Sequence, residues 1–444
     1  MREFIHSVSL DVTKCKGCTN CLKHCPTEAI RIRNGHAVIN SQLCIDCGEC
    51  IRKCPYKAKK AIYDKLPDIE GYKWKIALPA PALYGQFDNI DDIDYILTAI
   101  LQCGFDDVFE VARGAELVSA YTRYFLNSKN AHKPLISSAC PVIARLISVR
   151  FPYLCDNLVP MLPPIEISAQ MAREEALRLH PELSPEDIGV FFISPCPAKV
   201  SYVKNPIGIE KSAVTAVISM SEMYFSILSK LGKIDNPLPL SKVGVIGVSW
   251  AGSGGEASSL FNDRYLAADG IDNVIDVLDQ LENDKLSNVD FIELNACSGG
   301  CVGGTLTVEN PFIAKARLQN LRRYLPVAQN KPDIPANPRD EYGGVPDNFI
   351  WSDSVSYRPV AQLDQDRGEA LRKMNEIEAF MQKLPHLDCG SCGAPNCRAL
   401  AEDIVKGEAV ENDCVIRMKE QIEKVYKSLG VLVNPPKIQE DKSD

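Results

Sequence analysis

The sequence predicts an α/β fold of largely parallel sheets flanked by helices, with a small cysteine-rich module at each end. Three observations predict it. Between residues 75 and 325, apolar runs of strand length alternate with stretches of helical period, the pattern of βαβ units. Both ends of the chain instead carry cysteines at metal-ligand spacing. A length of 444 residues also exceeds one ordinary core and implies several domains.

The composition is that of a globular protein, 45% hydrophobic and 24% charged. A net charge of −9 argues against a nucleic-acid partner. There is no 18-residue apolar run, and Met1-Arg-Glu-Phe-Ile-His6 lacks the apolar region of a signal peptide. A cytoplasmic protein with no membrane partner is the expectation. Eighteen cysteines are many for such a chain. A disulfide framework needs an oxidising compartment, and sixteen of the cysteines fall into four-ligand sets. The remaining two, Cys103 and Cys155, lie in apolar surroundings and read as core residues.

Residues 1–62 form the first module. Cys15-x2-Cys18-x2-Cys21-x3-Cys25-Pro26 is repeated as Cys44-x2-Cys47-x2-Cys50-x3-Cys54-Pro55. This resembles the two-cluster bacterial ferredoxin, a small α+β domain holding two 4Fe–4S cubes. Each run lends its last cysteine to the other cube. Cys15, Cys18, Cys21 and Cys54 are therefore expected to hold one, and Cys44, Cys47, Cys50 and Cys25 the other. Zinc is the alternative metal, but this spacing suits it poorly. Lys23, Lys53, Lys57, Lys59 and Lys60 read as a solvated basic face or as a docking surface for an acidic redox partner.

Residues 63–330 form the central domain. Lys75–Ala82 opens it as a strand. Asn89–Cys103 reads as a helix with Ile93, Ile96, Leu97 and Ile100 on one face and Gly104 as the stop. Val108–Phe125 is a second helix. Lys133–Ser138 is a strand, Val142–Val149 a helix, and Ile165–Leu179 another helix after a Pro-rich loop. Gly189–Ser194 and Ala213–Ser219 are strands. A helix capped by Ser221 ends at Gly232. Val243–Val248 reads as a strand, followed by the turn Ala251-Gly-Ser-Gly-Gly255, which lacks the residues of a phosphate loop. Asn273–Leu286 is a helix, Asp290–Leu294 a buried strand, and Pro311–Leu325 a helix.

Three of the predicted strands run into cysteines: Leu135-Ile-Ser-Ser-Ala-Cys140-Pro141, Phe191-Phe-Ile-Ser-Pro-Cys196-Pro-Ala-Lys199 and Phe291-Ile-Glu-Leu-Asn-Ala-Cys297-Ser-Gly-Gly-Cys301. Four cysteines at the ends of three strands are expected to meet at one edge of a sheet, where α/β folds place ligands. The glycines let the backbone approach a bulky cluster. These motifs, with the weaker Ala80-Pro81-Ala82, resemble in order those of the FeFe-hydrogenase catalytic domain. The resemblance spans roughly residues 70–330.

That resemblance implies an H-cluster, a 4Fe–4S cube joined to a two-iron subcluster carrying CO and cyanide. Its ligands would be Cys140, Cys196, Cys297 and Cys301, with Cys301 as the bridging thiolate. Lys199 matches the lysine that pairs with a cyanide, and Pro81 and Ala82 match residues lining the distal iron. The chain departs from the family where protons move. Ala139 stands where the relay thiol is expected, and loss of a positioned acid costs about 10²–10⁴ in rate. Ser194 and Asn295 replace two methionines and are expected to alter hydrogen bonding to the cofactor. Ile143 replaces a tryptophan, and Glu116-Leu-Val-Ser-Ala-Tyr121-Thr-Arg123 lacks the relay glutamates.

The pattern is similar to the divergent, sensory branches of the family. The implied function is slow interconversion of H2 with protons and electrons in the service of hydrogen or redox sensing. The implied partners are hydrogenase maturation proteins and a ferredoxin or signalling protein. The alternative is an electron-transfer or scaffold iron–sulfur protein without the two-iron unit.

Residues 331–375 read as a connecting segment and the start of a charged helix, Arg367–Leu384. Residues 376–430 hold Cys389-x2-Cys392-x4-Cys397-x16-Cys414. This pattern resembles the small helical 4Fe–4S domain of corrinoid iron–sulfur proteins, with structural zinc as the alternative. Arg398–Gly407 and Met418–Ser428 read as helices. Residues 431–444 form a polar tail expected to be disordered.

Overall fold

The computed structural model describes residues 6–128, 130–332, 342–358, 363–364 and 366–428. The expected tail lies outside the described residues, as does part of the connecting segment.

In the N-terminal module, β1 (Val8–Leu10), β2 (Ile30–Arg33), β3 (His36–Ile39) and β4 (Lys59–Ala61) form two antiparallel ribbons, β1 with β4 and β2 with β3. Each cysteine run turns through a one-turn helix, Asn20–Lys23 or Glu49–Arg52. The repeat is visible in the sulfur contacts. The Ala29 N–H donates to Cys25 Sγ and the Ala58 N–H to Cys54 Sγ, both at 3.2 Å.

The central domain contains two parallel sheets. Strands β5 (Trp74–Pro79), β6 (Asp107–Val108), β7 (Leu135–Ile136), β8 (Ile188–Ser194), β9 (Ala216–Ser219), β10 (Tyr265–Asp269) and β11 (Phe291–Asn295) divide into the orders β6-β5-β8-β9 and β10-β11-β7. Every pairing within these two sheets is parallel. Strand β8 is buried along its whole length, as a strand covered on both faces must be. Ile76, Leu78, Val190 and Phe192 centre one core; Ile136, Leu146, Ile292 and Leu294 centre the other.

Several expectations are corrected. Val243–Val248 is no strand: Val245–Ser249 is a short helix. A β-branched run this short is ambiguous in period, and packing decides it. Gly247 lies against the Val111–Phe125 helix so closely that a Cβ would come within 2.4 Å of Ala112 O. Ser219, not Ser221, caps the following helix, and its hydroxyl accepts from the Ser221 N–H. Strand β10 has no sequence counterpart, because Leu-Ala-Ala-Asp neither alternates nor favours strand; it forms as an edge on β11. Residues 342–358 are not a free connector. They dock on the central domain through Leu162 N–H to Phe349 O and Trp351 N–H to Pro160 O. The helix Arg367–Met381 crosses the expected boundary at 376 and packs with Cys397–Val405 in the C-terminal core.

Glu110 links this frame to the site. It precedes the helix Val111–Phe125 and accepts from Lys242 N–H (2.7 Å), Tyr84 hydroxyl (3.0 Å) and Ser241 hydroxyl (3.2 Å). Tyr84 belongs to the turn Pro81–Gln86. Burial pushes the Glu110 carboxyl up to about 7, against these donors. A carboxyl raised on folding stabilises most below its unfolded value, and that contribution is lost as pH rises through the folded one. Stability is therefore expected to fall by about 1 kcal/mol between pH 6 and pH 8. Denaturant midpoints of the wild type and Glu110→Gln at the two pH values check this. Equal pH slopes would refute it.

Candidate metal centre

The cysteines that follow β7, β8 and β11 come from both sheets. The expected single sheet edge is corrected to a seam between two sheets. Cys140 and Cys196 each immediately precede a helix, Pro141–Arg150 and Pro197–Lys204, whose first residue is proline. Proline suits that position because its missing N–H would lack a helical partner anyway. Cys297 and Cys301 flank a turn in which Gly300 has φ 90°, and a Cβ there would lie 2.5 Å from Ser253 N. Only glycine fits both demands.

Lys199 stands in the first turn after Cys196. Burial opposes its charge, but Cys301, Cys196, Cys140 and Cys297 outweigh that and hold the ammonium above its ordinary range. All four sulfurs thus lie within electrostatic reach of one cation. Burial also pushes Cys196, Cys297 and Cys301 up, Cys196 to about 11, with mutual repulsion adding to it. Half-buried thiols gathered round one cavity suit a bound metal group, which takes the place of their protons.

In front of Cys140 and Cys301 lies a cavity with about 680 Å³ of space between atoms, part of it open to solvent. Pro81, Ala82, Ala139, Lys199 and Asn295 line it. Its small apolar side chains leave room beside two thiols and a cation, so the residues present fit an H-cluster. Ser194 does not line it. Its hydroxyl is spent on the Cys196 turn, donating to Cys196 O (2.9 Å) and accepting from Cys196 N–H (3.3 Å). Its expected effect on cofactor hydrogen bonding has no geometric basis. Glu116 also points elsewhere, clamping Gly244, Gln329 and Asn330.

The residue missed by sequence reasoning is Glu256. It lines the cavity, is 7% exposed, and accepts from the Ser137 hydroxyl at 2.6 Å. Glu293 lies beside it and accepts from Gly254 N–H (3.0 Å), Ala257 N–H (2.8 Å) and Asn295 Nδ2 (2.7 Å). Burial raises both carboxyls, and repulsion from Glu293 drives Glu256 well above the usual range. The donors around Glu293 favour its charge, so Glu256 holds the pair's proton. No spacing in the sequence marks Glu256. Its one local signal is an acid directly after a glycine-rich turn.

The two N-terminal sets assemble with exchanged last cysteines. One cavity is lined by Cys15, Cys18, Cys21 and Cys54; another by Cys25, Cys44, Cys47 and Cys50. Burial and neighbouring thiols push Cys47 well up and Cys50 to about 12. Lys59 is not on a solvated face. It is 3% exposed, its Nζ has no hydrogen-bond partner among the described residues, and it acts on Cys21, Cys50 and Cys54. A buried ammonium between two thiol sets fits cubes whose sulfurs accept hydrogen bonds.

The second of these sets faces the central one. Arg52 donates to Gly303 O and acts on Cys297. A Cβ on Gly48 would meet Thr305 at 2.7 Å. Cys47 packs on the same apolar cluster as Cys140 and Cys196. Buried Arg145 lies within electrostatic reach of both Cys44 and Cys196. At the C-terminus, Cys392, Cys397 and Cys414 share one core, and Cys389 acts on Cys392. Cys103 and Cys155 pack against the cores, as expected.

Comparison with known proteins gives three family matches. The C-terminal domain of the iron-only hydrogenase large subunit matches residues 73–236 and 252–305, a 4Fe–4S dicluster domain 7–55, and an Fe–S cluster family 384–416. Iron hydrogenase 1 of Clostridium pasteurianum is 24% identical over 373 residues, 67% of this chain and 64% of that protein. The periplasmic Fe hydrogenase large subunit of Nitratidesulfovibrio vulgaris is 26% identical over 214 residues, 44% of this chain and 51% of that one. The chain therefore spans less than two thirds of the length of either. Among solved structures, a variant of the FeFe-hydrogenase HydA1 from Chlamydomonas reinhardtii matches with a TM-score of 0.44 at 17% identity, covering 60% of this chain and 89% of that one.

Proposed function

Because the central domain of this chain belongs to the iron-only hydrogenase large-subunit family, we propose that it interconverts H2 with protons and electrons at an H-cluster held by Cys140, Cys196, Cys297 and Cys301. The turnover is slow, and its role is hydrogen or redox sensing. The observation that carries this reading is the cavity bounded by Cys140, Cys301 and Lys199. When bound, the H-cluster supplies the metal-centred chemistry 2H⁺ + 2e⁻ ⇌ H₂.

The chain's own groups do the rest. Lys199 offers a half-buried positive charge to anionic ligands. The apolar walls at Pro81, Ala82 and Ala139 restrict water. Ala139 cannot relay a proton, and Glu256 holds one at the cavity wall beside the Ser137 hydroxyl. The proton thus starts from a carboxyl on a different element from the usual thiol, which supports slow turnover. Maturation proteins deliver the two-iron unit, and a cytoplasmic ferredoxin or signalling protein exchanges electrons.

Infrared spectroscopy of protein matured with the two-iron cofactor tests this. CO and cyanide bands that respond to hydrogen are expected. No bands, with iron accounting for cubes alone, would move the protein to the electron-transfer or scaffold class.

A further inference from the structure

We propose that the C-terminal cysteine set is the outer end of one continuous electron path, clamped in series onto the Cys15/Cys18/Cys21/Cys54 set by Asp403, Arg31 and Arg33. It is not an independent head on a tether. This inference needs only cubes in the four cysteine sets, and stands or falls apart from the two-iron unit.

The contact is made by the cluster-binding loops themselves. Ile32 lines the cavity of the Cys15 set. Its N–H donates at 2.8 Å to the carbonyl of Gly393, between Cys392 and Cys397. Gly393 has φ 82°, and a Cβ there would come within 2.4 Å of Ile32 O. A residue with a side chain would push the two loops apart. Gly390, between Cys389 and Cys392, lies against Leu22, the neighbour of Cys21; a Cβ would meet it at 3.4 Å. Asn396 Nδ2 donates to Glu28 Oε1 at 2.7 Å.

Behind this contact sits a charged clamp. Asp403 is only 2% exposed and sits on the helix that begins at Cys397. It accepts from Arg31 Nε at 2.7 Å and also from Arg33 Nη2. Both arginines lie on β2, the strand that carries Ile32. A buried carboxylate needs such partners, so the clamp holds the loops in register.

The inner links of the path are the contacts described above. Lys59 joins the Cys15 set to the Cys25/Cys44/Cys47/Cys50 set, and Arg52 and Gly48 join that set to the central one. Hydrogen oxidation releases two electrons and two protons per H2. On this reading the electrons leave singly through the four sets to a one-electron carrier protein at the exposed Cys389 edge.

Electron paramagnetic resonance of the full chain tests the arrangement. The chain is reconstituted with cubes, given no two-iron unit, and fully reduced. Dipolar coupling between the C-terminal and Cys15 cubes is expected to broaden the spectrum. Asp403→Asn is expected to remove that part of the broadening at unchanged iron content. If Asp403→Asn loses iron, the Arg31→Gln/Arg33→Gln pair decides, since it leaves the C-terminal core intact. One lineshape shared by the wild type and the arginine pair would overturn the proposal.

Discussion

Replacing Glu256 by glutamine is expected to lower hydrogen evolution by about 10²–10⁴-fold, the usual worth of a positioned acid, while iron content and infrared bands stay in place. Glutamine keeps the shape and still accepts from the Ser137 hydroxyl, but it carries no acidic proton. The distinguishing readout is the pH profile. Burial and Glu293 hold the Glu256 proton far above the ordinary carboxyl range. The wild-type rate should therefore fall only at a pH above the ordinary carboxyl range, where Glu256 ionises. Glu256→Gln should lack that limb. Introducing Ala139→Cys into the same background returns a thiol to the cavity wall, and part of the rate should return with it. A Glu256→Gln rate equal to that of the wild type would show that protons enter elsewhere.

Lys199→Met has the second large expected effect. The ammonium lies within electrostatic reach of all four sulfurs of the set. Removing one partner from a buried charge set costs about 3–5 kcal/mol. That corresponds to at least a hundredfold weaker hold on the central metal group. Iron content should fall by about one cube while the ferredoxin-like cubes remain, and the CO and cyanide bands should be lost. Lys199→Arg keeps the charge and should retain the cube. Full iron content and unchanged bands in Lys199→Met would mean that backbone N–H groups suffice.

The cysteine sets at the two ends are legible in the sequence, because a cube dictates short, fixed spacings along the chain; the central set, scattered from Cys140 to Cys301, is picked out by strands that run into cysteines and by the family resemblance. The exchange of Cys25 and Cys54 follows from the same constraint. The alternation of strands and helices is legible at the seven-residue β8 and at β11, whose apolar run leads into a cysteine motif. It fails at Val245–Ser249, where five residues have no decisive period and contact with Ala112 selects the helix. It fails again at β10, an edge strand that exists only because β11 offers it hydrogen bonds.

The sequence by itself picked out the cysteines that can bind metal, a property of residue type and spacing; that Ala139 stands in place of a relay thiol is implied by the family resemblance alone. The tertiary structure alone decided where the remaining polar groups point. Ser194 faces its own turn, Lys59 is buried between two cysteine sets, and Glu256 meets Ser137 from 119 residues away. The docking of Asp403 on Arg31 and Arg33 spans more than 300 residues. Such pairs depend on packing of distant elements, which burial and electrostatics select only once the chain has closed around them.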